Sequence, residues 1–228
     1  MQLVLWDIDH TLIATRGVGG EIFGECFQQV TNKVMREQAS IDGMTEPIIF
    51  RETAKLHGID SNRAMFEEFA RCSAERHVAR AAELRERGHA LPGAATALAA
   101  VAQLEGVTQS VVTGNIRAVA EIKLEVFGLD AHIRFPYGAY GEDDDERSEL
   151  VRIAILRTSQ ALNASIGADD VLLIGDTPAD VAAGLANQVR VLGVASGKST
   201  VADLHAAGAT DVVRGLEELR PLLGLLAG

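Results

Sequence analysis

The sequence predicts an α/β fold: a doubly wound parallel sheet interrupted by an inserted, all-helical segment. Three observations carry this. From residue 90 onward, short β-rich apolar runs alternate with helix-period stretches, the pattern of parallel strands joined by right-handed crossovers. Between about 21 and 88 there is helical periodicity and no period-2 strand. One strand-type run at residues 3–8 stands alone ahead of that helical block, so it belongs to the sheet that the later residues complete. The expected division is a discontinuous core, 1–14 plus 90–228, with a helical domain at 15–89.

Taken in order, residues 2–8 read as a strand. The stretch Ala14-Thr15-Arg16-Gly17-Val18-Gly19-Gly20 reads as a Gly-rich linker or hinge. Phe66, Phe69, Ala70, Ala74, Val78, Ala81 and Leu84 recur at steps of three and four, with Asp60-Ser61 as N-cap and Gly88 as stop. Residues 41–47 read as a loop between helices. Leu91-Pro92-Gly93 punctuates the return to the core. The expected core elements are helix 94–104, strand 108–113, helix 115–127, a short strand 132–135 and helix 146–162. Strand 171–174, helix 178–186 with Pro178 in its first turn, strand 189–194, helix 200–207, strand 211–213 and helix 216–223 follow.

Composition narrows the function classes. At 47% hydrophobic and 23% charged residues the chain is ordinarily globular, so disorder is not expected. The net charge of −11, from 21 basic and 32 acidic residues, argues against a nucleic-acid or anionic-membrane partner bound through a general basic surface. Cys26 and Cys72 fit no zinc-binding spacing and read as small buried residues of a reducing compartment. No signal-peptide pattern or membrane-length apolar run is present, so a cytoplasmic protein is expected.

Three polar clusters follow three strand runs: Asp7-Ile8-Asp9-His10-Thr11, Thr113-Gly114-Asn115, and Gly175-Asp176-Thr177-Pro178-Ala179-Asp180. In an open parallel sheet all three converge at the carboxyl edge, where ligands bind. Two carboxylates at the end of a buried strand are costly without a partner, and a divalent cation is the usual remedy; Asp oxygens suit Mg²⁺.

With those motifs, and Leu91-Pro92-Gly93 as the return from the insert, the chain resembles the haloacid dehalogenase-like hydrolase superfamily over essentially its whole length. The resemblance is to the phosphoglycolate phosphatase-like branch, whose helical cap follows the first strand. It implies a Mg²⁺-dependent phosphatase acting on a small phosphorylated metabolite. Asp7 is then the nucleophile that forms an aspartyl-phosphate, and Asp9 the general acid and base. The resemblance implies Mg²⁺ ligation by Asp7, by the Asp9 carbonyl and by Asp176, with Asp180 reaching back from one helical turn on. Thr113 donates its hydroxyl to a phosphoryl oxygen, and the Gly114 and Asn115 N–H groups form an anion site at a helix N-terminus. Ile8 and His10 are expected to contact substrate, His10 through its backbone N–H. Because dehalogenases lack the second aspartate, Asp9 points to phosphoryl chemistry.

The family pattern calls for a lysine before the helix leading to the last motif, and none lies between Lys123 and Lys198. Arg147 is the favoured replacement, ahead of Arg152 and Arg157. The acidic run 142–146 reads as an exposed loop rather than a second metal site. Substrate choice is expected from Arg16, the loop 43–46 and Arg51 in the cap. A phosphosugar mutase of the same fold and a non-catalytic phosphate-binding scaffold are the alternative functions. A monomer or homodimer is expected.

Overall fold

The computed structural model describes residues 1–227. Five parallel strands form one sheet in the order β4-β1-β5-β6-β7: β1 (Gln2–Trp6), β4 (Val107–Val111), β5 (Val171–Gly175), β6 (Arg190–Val194) and β7 (Asp211–Val213). The N-terminal strand is central, paired in parallel with β4 (Leu5↔Ser110) and β5 (Leu5↔Leu173). Its side chains alternate between two cores. Val4 and Trp6 pack with Leu172 and Ile174 under α5 (Ala94–Ala102) and α6 (Arg117–Val126). Leu3 and Leu5 pack with Val171 and Leu173 under α7 (Arg147–Leu162) and α8 (Pro178–Ala186). Both faces are covered, which is why β1 reads as a continuous apolar run rather than an alternating one. Two further helices, α9 (Val201–Ala206) and α10 (Leu219–Leu226), complete the core.

The insert holds α1 (Val18–Thr31), α2 (Glu46–Leu56), α3 (Arg63–Ala79) and α4 (Ala81–Arg87). It has its own apolar cluster, in which Phe69 meets Phe23 at 4.7 Å and Phe50 at 4.8 Å between ring centroids. Val126 of α6 joins that cluster, so this core helix is shared between the two parts. The two connecting chains run side by side as a small antiparallel ribbon, β2 (Ile13–Ala14) with β3 (His89–Ala90).

Several sequence expectations are corrected. Only residues up to Gly17 are linker: Gly17 takes a left-handed φ of 91°, and Val18, Gly19 and Gly20 already form the first turn of α1. The long helix expected near 66–84 is two helices, broken at Arg80, and its N-cap is Asn62, whose side chain accepts the Met65 N–H at 3.0 Å. Val78 lies on the exposed face; the buried stripe is Phe69, Cys72, Ser73 and His77. The strand expected at 132–135 is absent. That segment ends in a 3₁₀ turn at Phe135–Tyr137, where Pro136 has no N–H to give a ladder. Finally, Cys26 and Cys72 are buried as expected but not separate thiols: they form a disulfide across α1 and α3, with Cα atoms 5.7 Å apart.

A cross-link over 46 residues restricts the unfolded chain and contributes about 2–4 kcal/mol. Non-reducing peptide mapping should recover the Cys26–Cys72 pair, and Cys26→Ser should lower stability to denaturant by that amount; free thiols in the native protein would contradict the pairing.

Candidate active site

The three polar clusters meet at the carboxyl edge of the sheet, around a cavity of about 580 Å³ shared with the insert. Asp7 follows β1 directly, and Asp176 follows β5, its neighbour in the sheet. Asp180 lies in the first turn of α8. There it closes a capping box, its Oδ2 accepting the Thr177 N–H at 3.0 Å and the Thr177 hydroxyl at 2.7 Å. Asp7, Asp176 and Asp180 are all buried, and each offers an oxygen within 4.8 Å of the others.

One cation faces this group. Arg147, at the start of α7 and only 9% exposed, donates through Nη2 to Asp7 Oδ1 at 2.7 Å and through Nε to Asp180 Oδ1 at 2.7 Å. Burial alone would favour losing its charge, but the two carboxylates hold the guanidinium's proton more tightly than usual. Asp7 is nevertheless raised to about 7, by burial first, with Arg147 opposing and Asp180 and Asp9 adding repulsion. Asp176 is raised to about 8 by burial and by Asp7 and Asp180; the Thr11 hydroxyl, which donates to it at 3.1 Å, only partly offsets this. Three acids beside one arginine are short of positive charge. A hard divalent cation supplies it, and an all-oxygen carboxylate set suits Mg²⁺, so the residues fit that ion.

Asp9 has a different environment. Its carboxylate turns toward Lys123, whose ammonium lies 2.9 and 2.8 Å from the two oxygens, and accepts from Asn115 Nδ2 at 2.7 Å. Burial raises its pKa, but Lys123 and Asn115 outweigh that and leave it below the usual carboxylate range. Lys123 also donates to Asn115 Oδ1 at 2.7 Å, which fixes the orientation of that amide. Asn115 Nδ2 reaches Thr113 Oγ1 at 2.8 Å, and the Thr113 hydroxyl proton has no acceptor among the described residues.

Sequence reasoning missed Lys123. A signal was present: α6 buries Val119, Ala120, Leu124 and Val126, and Lys123 falls on that same stripe. A lysine on an apolar stripe has a buried partner to explain.

Other expected contacts fall differently. The His10 N–H is taken by the Ile13 carbonyl at 2.8 Å, so it is not free for an anion; His10 has a left-handed φ of 63° and lines the cavity. The N–H groups of Ile8 and Asp9, beside Asp7, carry no hydrogen bond among the described residues. The α6 N-terminus is not an open anion site, because the protein's own carboxylates fill it: Ile116 N–H donates to Glu46 at 3.0 Å and Arg117 N–H to Glu142 at 2.9 Å. The Asn115 N–H turns to Thr113 Oγ1 at 3.3 Å, leaving Gly114 N–H unpaired among the described residues. Arg51 does not line the cavity; it pairs with Asp145 at 2.9 Å on the outer face. Arg16 is likewise outside the lining, whereas the loop 43–46 is part of it. That loop sits directly on the core: Glu46 N–H donates to the Gly114 carbonyl at 2.8 Å, and a side chain at Gly114 would overlap the Met44 carbonyl. Arg152 pairs with Glu149 on the surface and Arg157 with Asp143, so of the three arginines only Arg147 reaches the aspartates.

The family model described as haloacid dehalogenase-like hydrolase matches residues 4–184, most of the chain. The chain belongs to the haloacid dehalogenase-like hydrolase family. No curated protein matches it significantly. Among solved structures, a hydrolase from Pseudomonas syringae is 20% identical with a TM-score of 0.67, covering 100% of this chain and 98% of its own. A predicted phosphoglycolate phosphatase from Haemophilus somnus is 14% identical with a TM-score of 0.68, covering 98% of each chain. A Bacteroides vulgatus protein assigned as a β-phosphoglucomutase is 17% identical with a TM-score of 0.65, covering 100% of this chain and 91% of its own. At these identities the likeness shows the fold shared with this hydrolase family and says nothing of the substrate.

Two predictions follow from the electrostatics. Asp7 and Asp176 bind protons more tightly folded than unfolded, so between about pH 4 and pH 8 the folded state carries more protons and its stability falls as pH rises. Melting of metal-free protein should show that slope, and Mg²⁺ should raise the midpoint more at the alkaline end than at the acid end; a flat response to Mg²⁺ contradicts the fit. Arg147→Met strands Asp7 and Asp180 without their buried partner and should cost about 3–5 kcal/mol in metal-free protein, measured by urea unfolding.

Proposed function

We propose that the protein is a Mg²⁺-dependent phosphomonoesterase that acts on a small phosphorylated metabolite through an aspartyl-phosphate on Asp7. The observation that carries this reading is the buried group of Asp7, Asp176 and Asp180 with Arg147 beside a cavity. Membership of the hydrolase family supports it. Asp7, Asp176 and the Asp9 carbonyl would hold the ion, with Asp180 behind them. Bound there, Mg²⁺ offsets the repulsion between an anionic carboxylate and an anionic phosphoryl group.

Asp7 attacks phosphorus, the bond from phosphorus to the ester oxygen breaks, and Asp9 gives that oxygen its proton. Asp9 then takes a proton from the water that attacks the aspartyl-phosphate, releasing inorganic phosphate and restoring both carboxyls. Lys123 favours the anionic form of Asp9 that this second step uses; in the first, Oδ1 would carry the proton to the ester oxygen while Oδ2 keeps Lys123 and Asn115. The free N–H groups of Ile8, Asp9 and Gly114, the Thr113 hydroxyl and Arg147 take the phosphoryl oxygens. The helical insert acts as a cap: its loop 43–46 covers Gly114 and keeps bulk water from the phosphoenzyme.

Phosphate release from an aromatic phosphomonoester should require Mg²⁺, stop with EDTA and fall by at least about a thousandfold in Asp7→Asn. Full rate in Asp7→Asn would overturn the reading. Arg147→Ala should lower kcat by about a hundredfold or more, whereas Arg152→Ala, on the surface, should stay within about twofold of wild type.

A further inference from the structure

The cavity has two unlike ends. One is the phosphoryl end already described. The other is built by the insert from Phe23, Ile41, Met44 and Ile49, with Gln38 and His77 among its polar side chains. At about 580 Å³ the whole cavity is large enough for an organic leaving group beyond the phosphoryl end. It presents five acids, Asp7, Asp9, Asp42, Glu46 and Asp176, against three cations, Lys123, Arg147 and Lys198.

None of those cations is spare. Arg147 is held by Asp7 and Asp180, Lys123 by Asp9 and Asn115, and Lys198 at the rim by Asp42 at 3.0 Å. The loop beside the insert end adds Glu46 and Asp42 and no cation, and Arg16, Arg36 and Arg51 lie outside the lining. Mg²⁺ at the other end offsets only the aspartates that hold it. An anionic group on the leaving alcohol would therefore find no free cation in the lining to pair with, and its burial there would go uncompensated.

The polar groups at this end suit a neutral alcohol. His77 is 3% exposed, and its Nδ1 lies 2.8 Å from the Ser73 carbonyl. A carbonyl only accepts, so Nδ1 carries the proton, and Nε2 is left with no partner among the described residues. Burial and the nearby Lys123 push its pKa down to about 4, so the ring is neutral and Nε2 accepts. A buried acceptor without a donor is costly, and a hydroxyl or amino group on the substrate would satisfy it.

We infer that the substrates of this site are phosphate esters of neutral or cationic, hydroxyl- or amino-bearing alcohols, and that esters whose alcohol carries a carboxylate are rejected. This rests on the phosphomonoesterase reading. The site is then unsuited to phosphoglycolate, although a protein of similar fold is assigned to that substrate.

The test is a matched panel with wild-type protein and Mg²⁺. It compares 2-hydroxyethyl phosphate with phosphoglycolate, and glycerol 3-phosphate with 3-phosphoglycerate, each pair differing by a hydroxymethyl against a carboxylate. Phosphate release should give kcat/KM about 100-fold higher for the neutral member of each pair. A ratio below about tenfold, or the reverse order, overturns the inference, as does release from an aromatic ester with none from either neutral alcohol ester. No release even from the aromatic ester would instead overturn the phosphomonoesterase reading itself. His77→Leu should lower kcat/KM for the neutral esters by about tenfold relative to the aromatic ester, and His77→Gln, which keeps an acceptor, should recover most of it. If both variants match wild type on that ratio, His77 has no part in selection.

Discussion

Burying several carboxylates at the end of a sheet is the constraint on which this molecule turns. Asp7, Asp176 and Asp180 have almost no contact with solvent; Asp180 opposes the ionisation of Asp7, and both oppose that of Asp176. Arg147 answers two of them with a single planar guanidinium, Nη2 toward Asp7 and Nε toward Asp180. It can do so because α7 begins beside the ends of β1 and β5, and because the α8 capping box points Asp180 back toward it. One arginine does not balance three acids. The remaining deficit makes the site receptive to a divalent cation.

Asp9 is one residue from Asp7's immediate neighbour and yet obeys a different electrostatic regime. The chain bends after β1, so its side chain faces Asn115 and Lys123 rather than the aspartate cluster. The two carboxyls of one short motif are thereby pushed in opposite directions, one up by burial and acids, one down by an ammonium. These shifts belong to the metal-free site and run against the proposed roles: a cation beside Asp7 must favour its anion, and Asp9 must take up its proton against the pull of Lys123. Lys123 stands in the same C-terminal turn of α6 as Val126, which packs into the insert's apolar cluster, so the element that tunes Asp9 also carries the insert.

Much of this was legible in the chain. The central strand, the crossovers and the helical block announced themselves through period and punctuation, and α8 and β7 fall at the boundaries their sequence predicts. The convergence of Asp7, Thr113 and Asp176 follows from parallel topology alone, once each is placed after a strand. What was illegible depended on tertiary partners. Nothing local in Cys26 or Cys72 indicates that two helices bring them within bonding distance. The α6 N-terminus looked open because Glu46 and Glu142, which close it, lie far away in sequence. Arg51 looked like a substrate residue because it is a cation in the cap shortly after the loop 43–46, but α2 turns it outward to Asp145. Lys123 lay between these cases: its position on a buried stripe was visible, its partner was not.

The most direct test of the account is to stop the reaction on the protein itself. Rapid acid quenching of turnover with a ³²P-labelled phosphomonoester and Mg²⁺, followed by peptide mapping, should place the label on the peptide containing Asp7, with none in Asp7→Asn. Label on another residue such as His10, or turnover with no phosphorylated protein at any quench time, would contradict it.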